Sequence, residues 1–138
     1  MDKYFTYCGL YCGACIFGIA TETGTLKETA EKFQKTETEV HCLGCKAAQI
    51  EDCEFRICCS KKGYESCAEC PDMPCEKVHA LCNDEYEHHS VVITNLNRIK
   101  EIGKAAWLKE QLDEWKCKNC GERTMWYQKV CIRCGEKL

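Results

Sequence analysis

Apolar residues recur at helical spacing in the first part of the chain, and no segment alternates in the manner of a strand. Leu26, Ala30 and Phe33 share one face of a predicted helix over residues 25–35. A second short helix is predicted over residues 53–62, ahead of a glycine that can end it. The pattern therefore favours several short helices over a sheet.

Two further helices are predicted downstream. Pro74 is expected to begin the third, because proline is tolerated in the first turn of a helix. Ser90 is expected to cap a much longer helix over residues 91–115, whose regularity Gly103 lowers. Trp107 lies near the apolar stripe of that helix, so we expect the stripe to pack against the first segment.

Cysteine changes this picture, because 16 of the 138 residues are cysteine. With 3 Met, 4 Phe and 3 Trp the apolar core is expected to be modest, and cross-links must replace part of it. The chain opens without a basic and then apolar leader, and the apolar run at residues 16–20 is too short to cross a membrane. We therefore expect a cytoplasmic, reduced protein with no membrane partner, in which cysteines bind metal.

Charge divides the chain unevenly. The net charge is −3. Residues 1–97 carry 9 Lys and Arg against 16 Asp and Glu, whereas residues 98–138 carry 10 against 6. An anionic partner would therefore meet the C-terminal end, where basic residues also surround Trp126 and Tyr127.

The clearest chemical signal lies in the last 23 residues, "KCKNCGERTMWYQKVCIRCGEKL". Two C-x2-C pairs are each followed by glycine, which supplies the positive φ that such a turn needs. Two turns of this kind predict a tetrahedral zinc site with Zn–S distances of about 2.3 Å. The intervening ten residues suit a hairpin, so a structural zinc ribbon is predicted, with rubredoxin-type iron as the alternative. Its ligands would be Cys117, Cys120, Cys131 and Cys134.

The N-terminal cysteines form two natural sets. Sulfurs that share one zinc must lie within about 4 Å of each other, so cysteines far apart on one helix cannot share an ion. The first set joins two C-x2-C knuckles: Cys12, Cys15, Cys42 and Cys45. The second has five candidates for four places, with either Cys53 or Cys75 completing a firm part made of Cys58, Cys67 and Cys70.

Three cysteines remain. Cys8 opens a C-x3-C-x2-C pattern with Cys12 and Cys15 that can hold a [4Fe–4S] cluster if a distant thiolate supplies the fourth ligand. Radical S-adenosylmethionine enzymes use the same spacing, but they need a large partial barrel that this chain is too short to build. Zinc is the favoured metal, and Cys59 and Cys82 are expected to be packed non-ligands.

Several stretches together resemble one known family. "YCGLYCGAC", "CLGC", "CEFRICCSKKGYESCAECPDMPCEKV" and "IKEIGKAAWLKEQLDEWKCKNCG" look like the prokaryotic domain of unknown function numbered 3795, often followed by a zinc ribbon. The resemblance implies metal binding and no established activity. The family's cysteine pattern would include the ten N-terminal cysteines other than Cys59 and Cys82.

The predicted fold is a small, metal-stabilised, mainly α protein. It comprises a cysteine-rich metal-binding domain (1–89), a helical connector (90–115) and a zinc ribbon (116–138). No catalytic constellation is present, so we expect a zinc-binding protein that acts as a binding or adaptor module for another protein. The alternatives are an iron–sulfur or thiol-redox accessory protein that carries electrons, and a nucleic-acid binder acting through the basic ribbon.

Overall fold

Short helices joined by tight turns make up most of the computed structural model, which describes residues 2–138. Within that range it contains eight α-helices and, in place of β-strands, two isolated β-bridges. The predicted mainly α fold is confirmed. The helices are α1 (Ile16–Thr23), α2 (Leu26–Phe33), α3 (Glu37–Val40), α4 (Cys45–Ala48), α5 (Glu54–Lys62), α6 (Glu76–Cys82), α7 (Val92–Ile102) and α8 (Lys104–Glu114). None of these is long and apolar enough to cross a bilayer.

The first two predicted helices are confirmed with small changes at their ends. Helix α2 lies inside the predicted range and stops where Gln34 adopts a left-handed conformation. Helix α5 ends at Gly63, whose φ of 73° is readily adopted only by glycine. Local sequence signals are therefore sufficient for these elements.

The third predicted helix begins two residues later than expected. Pro74 follows a cis peptide bond and lies outside α6, and Cys75 precedes the first helical residue, Glu76. The expectation that proline forms the first turn was wrong, because this proline belongs to the turn before the helix.

The long predicted helix is broken in two at Gly103. This residue has φ 85° and ψ 164°, so it ends α7 and begins α8 with a change of direction. Ser90 does not cap α7; it lies in a 3-10 turn (Glu87–Val91), and Val91 precedes the helix. The glycine thus turns an expected rod into a pair of packed helices.

The break allows α7 and α8 to enclose the apolar core. Trp107 is fully buried, and its ring meets those of Phe5 and Tyr11 edge to face, with centroids 6.0 and 6.2 Å away. Leu96 and Val92 of α7 are also fully buried. The expectation that the stripe packs against the first segment is confirmed, and we call residues 2–115 the helical body.

The C-terminal unit, residues 116–138, docks on the helical body. The Arg123 guanidinium donates to the Gly13 carbonyl oxygen at 2.7 Å and to the Glu22 carboxylate at 2.6 Å. The Trp126 backbone N–H donates to the Ala14 carbonyl at 3.0 Å, and its ring stacks on His88 with centroids 4.2 Å apart. These contacts fix the unit beside the cysteine-rich opening of the chain.

Candidate metal centres

Four sulfur atoms converge in the C-terminal unit. Cys117 Sγ lies 3.6 Å from Cys134 Sγ, and Cys120 Sγ lies 3.6 Å from Cys131 Sγ. All four Sγ atoms are within 4.8 Å of one another, a convergence that no other group of three or more potential ligands reaches in residues 2–138. Since one tetrahedral ion requires sulfurs about 4 Å apart, this unit can hold a metal ion.

The two halves of this site are built alike. In one, the N–H of Gly121 donates to the Cys117 carbonyl at 2.8 Å; in the other, Gly135 donates to Cys131 at 3.0 Å. Both glycines have positive φ, 78° and 75°, as the spacing predicted. A single antiparallel bridge closes each turn, Lys116 with Arg123 and Val130 with Lys137.

These bridges differ from the predicted hairpin. The ten residues between the two cysteine pairs do not form paired strands; they turn at Tyr127, which has φ 66°, and lie against the helical body. The backbone N–H groups of Thr124 and Trp126 donate to the Trp115 and Ala14 carbonyls, so they are not available to pair within a free hairpin. Each C-x2-C turn instead carries its own minimal β pairing.

The thiols of Cys120 and Cys134 differ in pKa. Hydrogen bonds from the Asn119 side chain and the Glu136 backbone lower the pKa of Cys134 to about 6. At Cys120 the Glu122 backbone opposes the shift, but desolvation and the neighbouring thiols raise the pKa to about 12. Four thiols this close cannot all ionise without a cation, and a divalent metal ion would supply that charge.

A first cysteine group surrounds the N-terminal knuckles. Cys12, Cys15 and Cys42 line a cleft of about 90 Å³. Gly44 donates its N–H to Cys42 Sγ at 3.4 Å, an arrangement that C-x2-C knuckles use to stabilise a thiolate. A Cβ at Gly44 would approach the Lys3 carbonyl oxygen to 2.8 Å, so this close turn requires glycine.

Three more thiols belong to this first group. Burial raises the pKa of Cys12, and the nearby charges of Cys45, Cys15, Cys42 and Cys8 add to the shift. Burial also raises the pKa of Cys8 to about 11, with further contributions from Cys45 and Cys53. Cys53 is close enough to Cys8 and Cys45 to raise the pKa of both thiols, and we count it with this group. We define this group by its six members: Cys8, Cys12, Cys15, Cys42, Cys45 and Cys53.

A second cysteine group lines a separate cavity of about 270 Å³. Its members come from α5, a 3-10 turn (Cys67–Glu69) and the start of α6: Cys58, Cys59, Cys67, Cys70 and Cys75. The sequence left either Cys53 or Cys75 to complete this set, and the structure brings Cys75 to the cavity. The ligand sets of both N-terminal groups stay predictions, since in residues 2–138 neither draws three sulfurs within 4.8 Å.

Cys59 lies closer to another thiol than the sequence indicated. It is 2% exposed, as expected for a packed thiol, but its Sγ lies 3.7 Å from Cys67 Sγ. Their hydrogen bond lowers the pKa of Cys59 and raises that of Cys67, because one proton is shared between two sulfurs. Cys82 lies apart, with its Sγ 3.2 Å from the Ser90 carbonyl oxygen.

The region that contains both cysteine groups has relatives. Residues 4–80 match the model of a family described as "Protein of unknown function (DUF3795)", which covers more than half of the chain. The chain belongs to this family. Every member of the two N-terminal groups lies inside the matched residues, whereas Cys82 and the C-terminal unit lie outside them. Comparison with curated proteins and with solved structures found no match.

Two positively charged residues, Lys62 and Arg123, make contacts that the sequence did not predict. Lys62 follows Cys58 by one helical turn, and its Nζ lies 3.8 Å from Cys70 Sγ. The thiolate charges of Cys58 and Cys70 accordingly raise the pKa of Lys62. The i, i+4 spacing on α5 indicates that Lys62 lies near Cys58, but no local pattern indicates its contact with Cys70. No local sequence pattern indicated the contact between Arg123 and Glu22, because the two residues are 101 positions apart.

Proposed function

We propose that this protein is a zinc-binding protein that acts as a non-catalytic binding or adaptor module. The convergence of four sulfurs within 4.8 Å in the C-terminal unit carries this proposal. Four thiolates complete the tetrahedral coordination of Zn²⁺ and leave no open position for a substrate or an activated water. The ion would therefore stabilise a surface and take no part in a reaction.

The first cysteine group supports a second zinc ion. Cys12, Cys15, Cys42 and Cys45 supply two knuckles, and the Gly44 N–H to Cys42 Sγ bond favours the thiolate that zinc requires. This ion would join the opening segment to the turn between α3 and α4.

Metal analysis tests both sites. Protein purified without chelators under reducing conditions is expected to contain about two zinc ions per chain. Cys134→Ser and Cys15→Ser should each lower the count by about one, and the double variant by about two. Chains without zinc, or a count that neither variant changes, would contradict the proposal.

The surface presented by the C-terminal unit suits a protein partner. Ile132 is 74% exposed, and Val130 and Leu138 are about half exposed. Lys129 and Lys137 flank these side chains in sequence. A surface that combines apolar and basic groups fits a partner that offers apolar side chains beside carboxylates.

A nucleic-acid partner fits the same unit less well. Single-strand binders stack bases on free aromatic rings, but Trp126 is stacked on His88 and the Tyr127 hydroxyl is bonded to His88. Arg123 and Lys116 are engaged by acidic side chains. At low salt, we expect the protein to leave the mobility of mixed DNA and RNA unchanged.

Photocrosslinking tests the protein partner. A photoreactive residue at position 132, expressed in the source cells, should give a discrete adduct with one protein. The same residue at position 112, where Leu112 is 44% exposed on α8, is the matched control and should give none. Absence of an adduct at 132, or equal adducts at both positions, would contradict an adaptor role for this surface.

A further inference from the structure

The second cysteine group is arranged differently from a zinc site. Five thiols line its cavity, one more than a tetrahedral ion can use. Cys59 and Cys67 bring their sulfurs to 3.7 Å, and in residues 2–138 no three sulfurs of this group lie within 4.8 Å of one another. The sulfurs of the first group do not converge either, but its cleft measures only about 90 Å³, so the larger cavity is what sets the second group apart.

The size of the cavity also exceeds what a single ion requires. Its volume is about 270 Å³, whereas one water molecule needs only roughly 10–15 Å³ of such space. A single zinc would leave most of it unfilled. A [4Fe–4S] cluster places each of its four thiolates on a different iron, at separate corners of a cube, and so needs both the room and the spacing.

We propose that Cys58, Cys67, Cys70 and Cys75 are the four protein ligands of a [4Fe–4S] cluster held in this cavity. The proposal goes beyond the zinc-dependent function above and does not depend on it. It also assigns the cluster to a different place from the opening Cys8, Cys12 and Cys15 pattern.

The cavity lining suits an anionic cluster. The cluster with four thiolates carries net negative charge, and the Lys62 ammonium lies 3.8 Å from Cys70 Sγ. Phe55, Tyr64 and Met73 form apolar parts of the wall, and an apolar wall limits solvent access and so helps to set the reduction potential of a cluster. Lys77, Asp72 and Glu76 also line the cavity, and Lys62 is the charged group that contacts a cysteine sulfur there.

Cys59 has a separate role in this arrangement. It is 2% exposed and its Sγ lies 3.7 Å from Cys67 Sγ; once Cys67 binds iron as a thiolate, the proton that the two sulfurs share would rest on Cys59, which would donate it to Cys67. Hydrogen bonds to cluster sulfurs help to set the reduction potential. Cys59 is therefore a positioning residue, and its loss should change the potential without removing iron.

Anaerobic purification of the full chain, followed by reconstitution with ferrous iron and sulfide, tests the proposal. The expected product is brown, absorbs at about 400 nm and contains about four iron and four acid-labile sulfide per chain. After reduction with dithionite it should give the electron paramagnetic resonance signal of a reduced cluster. A colourless protein, zinc in place of iron, or a Cys59–Cys67 disulfide in the anaerobic protein would overturn the proposal.

Variants locate the cluster. Cys70→Ser and Cys75→Ser should lose most of the iron, sulfide and absorbance, with circular dichroism reporting whether they remain helical. Cys82→Ser, at the end of α6, and Cys12→Ser, in the first group, should keep the cluster. Cys59→Ser should keep the iron but shift the reduction potential. Loss of the cluster in Cys12→Ser together with its retention in Cys70→Ser would overturn the assignment.

The zinc count separates this proposal from the proposed function. Zinc is counted on the same samples: Cys134→Ser should remove the ion of the C-terminal unit, Cys12→Ser only the ion of the first group, and the variants of the second group neither. If the cavity takes up no iron while that zinc persists, the cluster is rejected and the zinc-binding module stands.

Discussion

The helical body and the C-terminal unit differ in how much apolar surface they bury. The body buries Trp107, Leu96 and Phe5 almost completely, so apolar packing holds its helices together. In the C-terminal unit, only Thr124 and two of the ligand cysteines are buried, and Ile132 and Val130 face solvent. We therefore expect a unit of 23 residues with so little apolar burial to depend on a bound ion for its fold.

Removing a ligand from the C-terminal unit should have the largest effect. Cys131→Ser is expected to eliminate binding that is worth about 10–16 kcal/mol in apparent free energy, and with it the order of residues 116–138. Amide signals of that segment should collapse toward random-coil shifts in a heteronuclear NMR spectrum, while those of α7 and α8 stay.

Cys82→Ser is the matched control for that variant. Cys82 lies outside all three cysteine sets, and serine can keep the bond to the Ser90 carbonyl. An intact C-terminal unit in Cys131→Ser would contradict the metal-dependent account.

Truncating the central tryptophan should affect the body instead. Trp107→Ala leaves a cavity beside Phe5 and Tyr11, and is expected to lower the free energy of unfolding by about 3–5 kcal/mol. Urea denaturation followed by circular dichroism measures the change. Leu112→Ala on the exposed side of α8 should stay within about 0.5 kcal/mol of the wild type. Equal effects of the two substitutions would show that the body is not held by its core.

The sequence was sufficient where local chemistry decides the structure. The glycines after each C-terminal C-x2-C pair and Gly63 after α5 predicted positive φ correctly, because few other residues adopt it. It was insufficient where distant contacts decide. The hairpin was replaced by docking of Arg123 and Trp126 on Gly13 and Ala14, a contact more than 100 residues apart that no local pattern encodes.

The cysteine sets show the same division. Spacing identified the C-x2-C pairs, but only the folded chain shows that Cys53 lies beside Cys8 and Cys45 while Cys75 lines the second cavity. Cys59 was expected to pack, and it does, although the 3-10 turn that carries Cys67 brings the two sulfurs into contact.

The join between the two regions should respond to Arg123. Arg123→Ala removes charge-assisted bonds to Gly13 and Glu22, worth about 1.5–3 kcal/mol, and should loosen the C-terminal unit without changing its zinc content. Limited proteolysis between residues 114 and 117 measures the loosening. Arg123→Lys keeps the charge but not the planar fork, and we expect an intermediate rate. Zinc loss in Arg123→Ala would contradict the independence of docking and metal binding.

Lowering the pH should also weaken the contact between the helical body and the C-terminal unit, but by less than Arg123→Ala does. Burial, together with the charge of His89, lowers the pKa of His88 to about 4, so the folded state disfavours its protonated form. The unfolded state binds more protons between about pH 6.5 and 4, and stability should therefore fall as pH falls through that range. Because His88 is partly exposed, screening limits the loss to about 1 kcal/mol or less.

We expect to measure the contribution of His88 by comparing the wild type with His88→Gln. The quantity compared is the slope of the free energy of unfolding against pH. Glutamine cannot titrate, so the variant should show a flatter slope between pH 6.5 and 4. Identical slopes would show that His88 does not report on the join.

Amide hydrogen exchange before and after removal of zinc by a chelator, under anaerobic reducing conditions, tests the central claim most directly. The claim predicts that the N–H groups of Cys117, Gly121, Cys131 and Gly135 lose their protection, while those around Leu96 and Trp107 keep it. Persistent protection of the four C-terminal amides in metal-free protein would contradict it.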